Sequence, residues 1–161
     1  MKDVRLDAKD LKIIELLQKN GRITNVALAE HVGLSPPTVL ERVRKLEASG
    51  VISGYTAMVN AGKLGLTLVA FVLVTLTRHT KKTIDRFRKG ILEIPEVLEC
   101  YQLGGEEDFL LKVVERDIAA YRDFLVERLT AMEEVKHVRT MIVFDTLKRN
   151  VAVPVPDILK E

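Results

Sequence analysis

The sequence predicts an α+β protein in two parts, a bundle of three short helices followed by strands and helices in the order βαββαβ. Two observations support this. In residues 1–60, three stretches with apolar residues at helical spacing each end at a glycine: Gly21, Gly33 and Gly50. After Leu66, β-rich runs alternate with two further helical patterns. The glycine-containing segment 61–65 then predicts a linker between domains 1–60 and 66–161.

Composition limits the class of protein. Hydrophobic residues make up 47% of the 161 residues, enough for a packed core, and the net charge is only +2. Cys100 is the single cysteine, which excludes an intrachain disulfide and favours a cytoplasmic protein, and the charged N-terminus is unlike a signal peptide. The apolar run 66–76 is about half the roughly 20 residues that a membrane helix needs.

Each of the first three helices begins with a good capping residue. Asp7 caps the first, Thr24 the second and Ser35 the third, where Pro36 occupies the first helical position. The third helix is predicted over about 35–49. The segment 51–59 that follows predicts a short hairpin, or wing.

The third helix has two different faces in this prediction. Leu40, Val43 and Leu46 recur at helical spacing and form the inner face. The outer face carries polar residues: Thr38, Glu41, Arg42 and Lys45. Such a face is either an ordinary solvated surface or a surface that reads DNA, with Arg42 on a guanine edge or a phosphate, Lys45 on a phosphate and Glu41 on a cytosine amino group. Ser35 and Thr38 lie beside a helix N-terminus, which attracts phosphate.

The second part has the ferredoxin-like order of elements. The predicted strands are 66–77, 97–103, 109–114 and 138–147, and the predicted helices are 81–94 and 117–132. The first strand is apolar on both faces: Leu68, Ala70, Val72 and Val74 on one, Val69, Phe71 and Leu73 on the other. Because two helices cover only one face of the sheet, the other face predicts a second copy of the chain, hence a two-fold dimer suited to a palindromic DNA site.

Several motifs resemble one family. The segment LSPPTVLERVRKLE from Leu34 to Glu47, followed by Gly50, Val51 and Ile52, is similar to the recognition segment of the Lrp/AsnC (leucine-responsive, or feast/famine) regulators. Leu6, Asp7, Asp10, Ile13 and the run Gly21-Arg22-Ile23 match the family's first helix and turn. The motif Gly105-Glu106-Glu107-Asp108 matches its C-terminal domain.

The resemblance implies a winged helix-turn-helix plus a ferredoxin-like βαββαβ effector domain, in dimers that often assemble into octamers. It implies a sequence-specific transcription regulator, not an enzyme, that binds double-stranded promoter DNA and is modulated by an amino acid or related small molecule. The implied DNA-binding residues are Arg22, Ser35, Pro37, Thr38, Glu41, Arg42 and Lys45. The implied effector-binding residues are Leu103, Gly104, Gly105, Glu106, Asp108, Thr140, Met141 and Ile142.

The sequence departs from the family pattern at the predicted effector site. Gly104 stands where threonine is frequent, Glu107 where an aromatic is common, and Ile142 where a polar residue is frequent. With consecutive glycines approaching a carboxylate and Asp108 receiving an ammonium group, an amino acid would fit the loop. Leu103, Thr140, Met141 and Ile142 would add an apolar wall that favours leucine or methionine over asparagine.

Other chemistries have little support. His31, His79 and His137 lack metal-ligand spacing, Cys100 is predicted to be a buried thiol, and no nucleotide-binding or nucleophile motif is present. No metal, cofactor or catalytic residue is therefore expected. Two alternatives remain beside a regulator gated by an amino acid: an architectural protein that wraps DNA without an effector, and a metabolic enzyme or its regulatory subunit.

Overall fold

The structure, a computed structural model, describes residues 5–155 of the chain. These form two compact units. The first contains the described residues up to Met58 together with those from Lys148 onward, and the second is Val59–Leu147. The segment after Lys148, which the sequence assigned to the second domain, therefore packs with the first unit.

Three helices form the first unit: α1 (Ala8–Lys19), α2 (Asn25–Val32) and α3 (Pro36–Ala48). The predicted caps are confirmed, because the side chains of Asp7, Thr24 and Ser35 each accept hydrogen bonds from backbone N–H groups of the following helical turn. The turn from α2 to α3 uses Gly33 at a left-handed φ of 65°, which favours glycine.

The three helices enclose one apolar core. Ile13, Leu28 and Val39 are fully buried, and Val43 and Leu46 lie beside them. Leu40, predicted on the inner face, is only half-buried, so the prediction is wrong by one residue. The buried series on α3 is Val39, Val43 and Leu46, so Val43 and Leu46 are buried as predicted and Val39 takes the inner position predicted for Leu40.

The predicted hairpin after α3 is wrong, since the described segment 51–60 contains no strand. The Tyr55 hydroxyl instead donates to the Glu47 carboxylate over 2.9 Å, which holds the extended chain against the end of α3. The predicted linker is ordered: Ala61–Leu64 is a 3-10 helix, capped by Asn60 and ended by Gly65 at a φ of 78°.

The second unit has the predicted βαββαβ order. Its elements are β1 (Leu68–Leu76), α4 (Lys81–Leu92), β2 (Val97–Gln102), β3 (Phe109–Glu115), α5 (Ile118–Phe124) and β4 (Val135–Ile142). All strand pairs are antiparallel, and the sheet order is β2-β3-β1-β4.

The helix after β3 does not stay α-helical to its end. After α5 the chain continues as a π-helix over Leu125–Leu129, where the Thr130 N–H donates to the Leu125 carbonyl over 2.8 Å. Phe124 and Leu129, five positions apart, are both buried, and the wider turn brings both onto the sheet.

The last strand begins and ends earlier than the predicted 138–147. Its final hydrogen bond to β1 runs from the Val143 N–H to the Val69 carbonyl over 2.9 Å. The paired register of β4 with β1 ends at Ile142 opposite Ala70, two residues after the start of β1 at Leu68. Phe144 is fully exposed and Leu147 is 92% exposed, because the chain has left the sheet at these positions.

The sheet has one covered and one open face. Ala70, Val72 and Val74 of β1 are fully buried in the core on the helix side, where the rings of Phe87 and Phe109 pack 4.7 Å apart. The opposite face contains Val69, Phe71, Leu73, Leu110, Tyr101 and Met141. Its β1 residues are half-buried, and no helix of the second unit covers them.

Cys100 on β2 is exposed, contrary to the prediction of a buried thiol. It lies in an edge strand, so only β3 flanks it within the sheet. Partial desolvation raises the pKa of its thiol, which keeps the less nucleophilic protonated form at neutral pH.

Candidate nucleic-acid interface and ligand region

The outer face of α3 is polar and exposed. It carries Pro37, Thr38, Glu41, Arg44 and Lys45. Lys45 pairs with Glu41 over 2.8 Å, which lowers the pKa of Glu41, but both side chains are more than two-thirds exposed. Such a pair is worth little in water, so breaking it to contact a ligand costs little.

The beginning of α3 is fixed by two short hydroxyl side chains. Ser35 Oγ lies 2.8 Å from Thr38 Oγ1, and it accepts the Thr38 N–H over 3.4 Å. Both residues are exposed at the positive end of the helix. The structure therefore brings Ser35, Pro37, Thr38, Glu41 and Lys45 together, as the sequence predicted.

Arg42 is not on this outer face. Its guanidinium Nη1 donates to Asp7 Oδ2 and to Asp10 Oδ1, each over 2.7 Å, and the side chain is 28% exposed. The Asp10 backbone N–H and then Arg42 lower the pKa of Asp7. Arg42 thus connects α3 to the start of α1, and its role in DNA contact stays a prediction.

A cleft of about 400 Å³ lies between α3 and the beginning of α1. Its lining combines three cations with two acids: Arg5, Leu6, Asp10, Thr38, Glu41, Arg42, Lys45, Leu46 and Ser49. Arg42 therefore lies on a wall of this cleft and not at the crest of α3.

Two further arginines bear on the interface. Arg44 is exposed on the outer face of α3, and sequence reasoning missed it because it placed Leu40 instead of Val39 on the inner face. Centring the apolar period on Val39 and Val43 finds it. Arg22 is exposed in the turn between α1 and α2, where its backbone N–H donates to Asn20 Oδ1 over 3.0 Å.

In the second unit, Asp108 is held within the chain. Its carboxylate accepts the Leu76 N–H over 2.8 Å and pairs with His79 Nε2 over 2.9 Å, and its side chain is 17% exposed. Its backbone N–H donates to the Val74 carbonyl. Asp108 therefore ties the β2–β3 loop to the end of β1, which occupies the oxygens predicted to receive an ammonium group.

The rest of the β2–β3 loop is open. Leu103, Gly104, Gly105 and Glu106 are exposed, and a Cβ added at either glycine would meet nothing within 4 Å. Within one chain, there is therefore room for a side chain at both positions. The loop is also braced at one side by a Glu107–Arg139 ion pair.

The β4 residues predicted to share a site with this loop lie elsewhere. Thr140 faces the helices and bonds to the Tyr121 hydroxyl over 2.6 Å, whereas Met141 faces the open side of the sheet. Ile142 pairs with Ala70, four residues along β1 from Val74, which is roughly 13 Å. The predicted apolar wall is therefore not one surface of a single chain.

Among residues 5–155, no helix is both long and apolar enough to cross a membrane. In the same range, no three His, Cys, Asp or Glu side chains lie close enough together to hold a metal ion.

Comparison with known proteins assigns both units. Residues 6–53 match the profile of a winged helix-turn-helix DNA-binding domain. Residues 69–153 match the Lrp/AsnC ligand binding domain.

Similar proteins agree with both assignments. The Leucine-responsive regulatory protein of Rhizobium meliloti (strain 1021) is 48% identical over 145 residues, covering 90% of this chain and 93% of that protein. The same-named protein of Escherichia coli (strain K12) is 41% identical, covering 90% and 88%. A Neisseria meningitidis transcriptional regulator in complex with L-Met superposes with a TM-score of 0.89 at 35% identity, covering 93% and 97%.

The fold and these matches define a DNA-binding transcriptional regulator with a ligand-binding domain, not an enzyme. The chain belongs to the Lrp/AsnC family.

Proposed function

We propose that α3 enters the major groove of double-stranded promoter DNA and reads it through its outer face. The observation that carries this proposal is that Val39, Val43 and Leu46 pack inward while Pro37, Thr38, Glu41 and Lys45 stay exposed. An isolated polar face next to a helix N-terminus suits a groove lined by base edges and phosphates. Ser35 and Thr38 meet phosphate at the start of the helix, and Lys45 does so near its end.

Arg22 extends this contact surface. It is exposed in the turn before α2, a position from which a guanidinium can bind a phosphate next to the groove that α3 occupies. Its role is to position the unit on the duplex, because a phosphate contact carries no sequence information.

A second copy of the chain covers the open face of the sheet. This is supported by three apolar residues of β1 that are only half-buried and that no helix of their own unit covers: Val69, Phe71 and Leu73. A two-fold dimer presents two reading helices, which suits a palindromic site. Assembly of dimers into an octamer, and a cytoplasmic location beside the DNA, are part of the proposal.

The effector is an amino acid, with leucine or methionine favoured. Leucine is in the name of the curated relatives, and the regulator from Neisseria meningitidis carries L-Met. The open backbone at Gly104 and Gly105 supports ligand access to the β2–β3 loop. Within one chain, this loop lies apart from the β4 residues Thr140, Met141 and Ile142. A ligand site formed by the loop and by these β4 residues therefore takes the loop from one copy of the chain and the β4 residues from another.

Within this site, the exposed residues Leu103, Gly104, Gly105 and Glu106 contact the ligand directly. Asp108 contributes by fixing the loop to Leu76, and only a ligand that displaces His79 meets its carboxylate. Thr140 acts together with Tyr121, whose hydroxyl it already bonds.

Calorimetry with the twenty amino acids, paired with anisotropy of a labelled random-sequence duplex at low salt, tests this function. We expect heat of binding for leucine or methionine and a DNA affinity that changes when that amino acid is present. DNA binding with no response to any amino acid favours the architectural alternative. Absence of DNA binding at low salt contradicts the role of α3.

A further inference from the structure

Arg42 and Arg44 lie two residues apart on α3 and have different surroundings. Arg42 is 28% exposed and bonded to two carboxylates. Arg44 is exposed, and among residues 5–155 no ion pair or side-chain hydrogen bond involves it. The two arginines are therefore not equivalent DNA contacts.

The carboxylates that hold Arg42 are themselves fixed. Asp7 uses Oδ1 to accept the N–H groups of Lys9 and Asp10, over 2.8 and 2.9 Å, and Asp10 uses Oδ2 to accept the Asp7 N–H over 3.1 Å. Arg42 takes the two remaining oxygens, Asp7 Oδ2 and Asp10 Oδ1. The guanidinium thus completes the capping box of α1, and all four carboxylate oxygens have a donor.

Helix geometry separates the two arginines in direction. At 3.6 residues per turn, Arg42 points roughly 60° away from the buried Val39, and Arg44 roughly 140° away on the opposite side. Arg42 therefore flanks the core at the α1 contact, whereas Arg44 is near the crest of the exposed face.

We propose that Arg42 is a positioning residue that holds α3 against the capping box of α1, and that Arg44, with Lys45, supplies the cations that contact DNA. This assignment rests on the proposed role of α3 as the reading helix. Moving Arg42 to a base would break two charge-assisted hydrogen bonds and leave the mostly covered Asp10 carboxylate, 15% exposed, unpaired beside phosphates. In place, Arg42 fixes the angle of α3 and offsets part of the negative charge of both acids.

Matched variants of the full chain test the assignment on a duplex that the wild-type chain selects from a random-sequence pool. Arg44→Met is expected to weaken binding roughly tenfold to a hundredfold and to reduce the slope of log affinity against log salt by about one, with an unchanged Tm. Arg42→Met is expected to lower the Tm and to weaken binding while selecting the same base sequence as the wild type.

Asp10→Asn gives a second, independent test, because it removes the negative charge of one partner but keeps the guanidinium. Combined with Arg42→Met, it is expected to add little to the loss of DNA affinity, since both changes weaken the same contact. Glu30→Gln, at an exposed acid on α2, is the control for the loss of one negative charge.

Three results separate the possibilities. The assignment is overturned if the Arg42→Met chain keeps the wild-type Tm but selects a different base sequence. It is also overturned if the Asp10→Asn chain binds the selected duplex as tightly as the Glu30→Gln chain does. If Arg42→Met does not fold, the Asp10→Asn comparison decides alone. If the wild-type chain binds DNA but no α3 substitution changes affinity or selected sequence, the reading role of α3 fails, and this assignment fails with it.

Discussion

Gln18 on α1 exchanges two hydrogen bonds with the main chain of Val153. Its Nε2 donates to the Val153 carbonyl over 3.1 Å, and the Val153 N–H donates to its Oε1 over 2.7 Å. The segment after β4 is thereby fixed to the first unit. The polypeptide consequently passes between the two units twice, once before Val59 and once before Lys148.

Gln18→Ala is expected to release this segment. The Val153 amide loses its acceptor, so its hydrogen exchange should accelerate roughly fivefold to tenfold, consistent with one side-chain hydrogen bond of about 1 kcal/mol. Exchange resolved by mass spectrometry after pepsin digestion measures the effect. Gln102→Ala, at an exposed amide on β2, is the matched control. Unchanged exchange at Val153 in Gln18→Ala would show that the contact does not hold the segment.

The acid sensitivity of the first unit should depend on Arg42. The folded-state pKa of Asp7 is lowered from 3.8, so the stabilisation is complete above the unfolded value and is lost as the pH falls through the folded one. Arg42→Met is expected to lower the Tm by a few degrees at neutral pH, corresponding to about 1 kcal/mol. The gap between wild type and variant should narrow as the pH falls below about 4 and Asp7 becomes protonated in the folded state. Scanning calorimetry across this range tests it, and a gap that widens toward low pH would contradict the account.

Local signals predicted the helices of the first unit well. The caps Asp7, Thr24 and Ser35 act on neighbouring backbone groups, so the sequence alone identifies them. The place of Arg42 depends on Asp7 and Asp10, more than thirty positions earlier, and helical periodicity does not report such a contact. Because the prediction placed Leu40 instead of Val39 on the inner face, it assigned Arg42 to the outer face and did not include Arg44 there.

Asp108 gives a test of how the β2–β3 loop is held. Asp108→Ala removes the acceptor of the Leu76 N–H and the partner of His79, so we expect the free energy of unfolding of the second unit to fall by about 1–2 kcal/mol and its Tm to fall with it. Glu106→Ala, in the exposed part of the same loop, should leave the Tm unchanged. If Asp108 instead receives a ligand ammonium, its variant would keep the wild-type Tm and lose binding of L-methionine in calorimetry.

The open sheet face predicts a change in assembly. Phe71→Glu places a charge in the centre of that face, and we expect the dimer to dissociate because burying a carboxylate that must share Lys112 with Glu99 is unfavourable. Leu92→Glu, at a residue 82% exposed on α4, is the control and should not change assembly. Sedimentation velocity measures both. A Phe71→Glu chain with the wild-type sedimentation coefficient would place the interface elsewhere.

In the second unit, the order of elements was predictable but several boundaries were not. The apolar run of β1 and the helical spacing of apolar residues in α4 and α5 are local patterns. The end of β4 depends instead on where its pairing with β1 stops, at Ile142 opposite Ala70, and the π-helix depends on burying both Phe124 and Leu129. The separation of Ile142 from the β2–β3 loop follows from strand register, which one chain's sequence does not specify.

A footprint on the selected duplex shows whether α3 reads DNA. The wild-type chain is compared with the chain carrying both Arg44→Met and Lys45→Met, with and without L-methionine. We expect the wild-type chain to protect two half-sites about one helical turn apart, the double variant to lose this protection, and the length of protected DNA to change with L-methionine. Identical protection by the wild-type and doubly substituted chains would show that α3 does not read DNA.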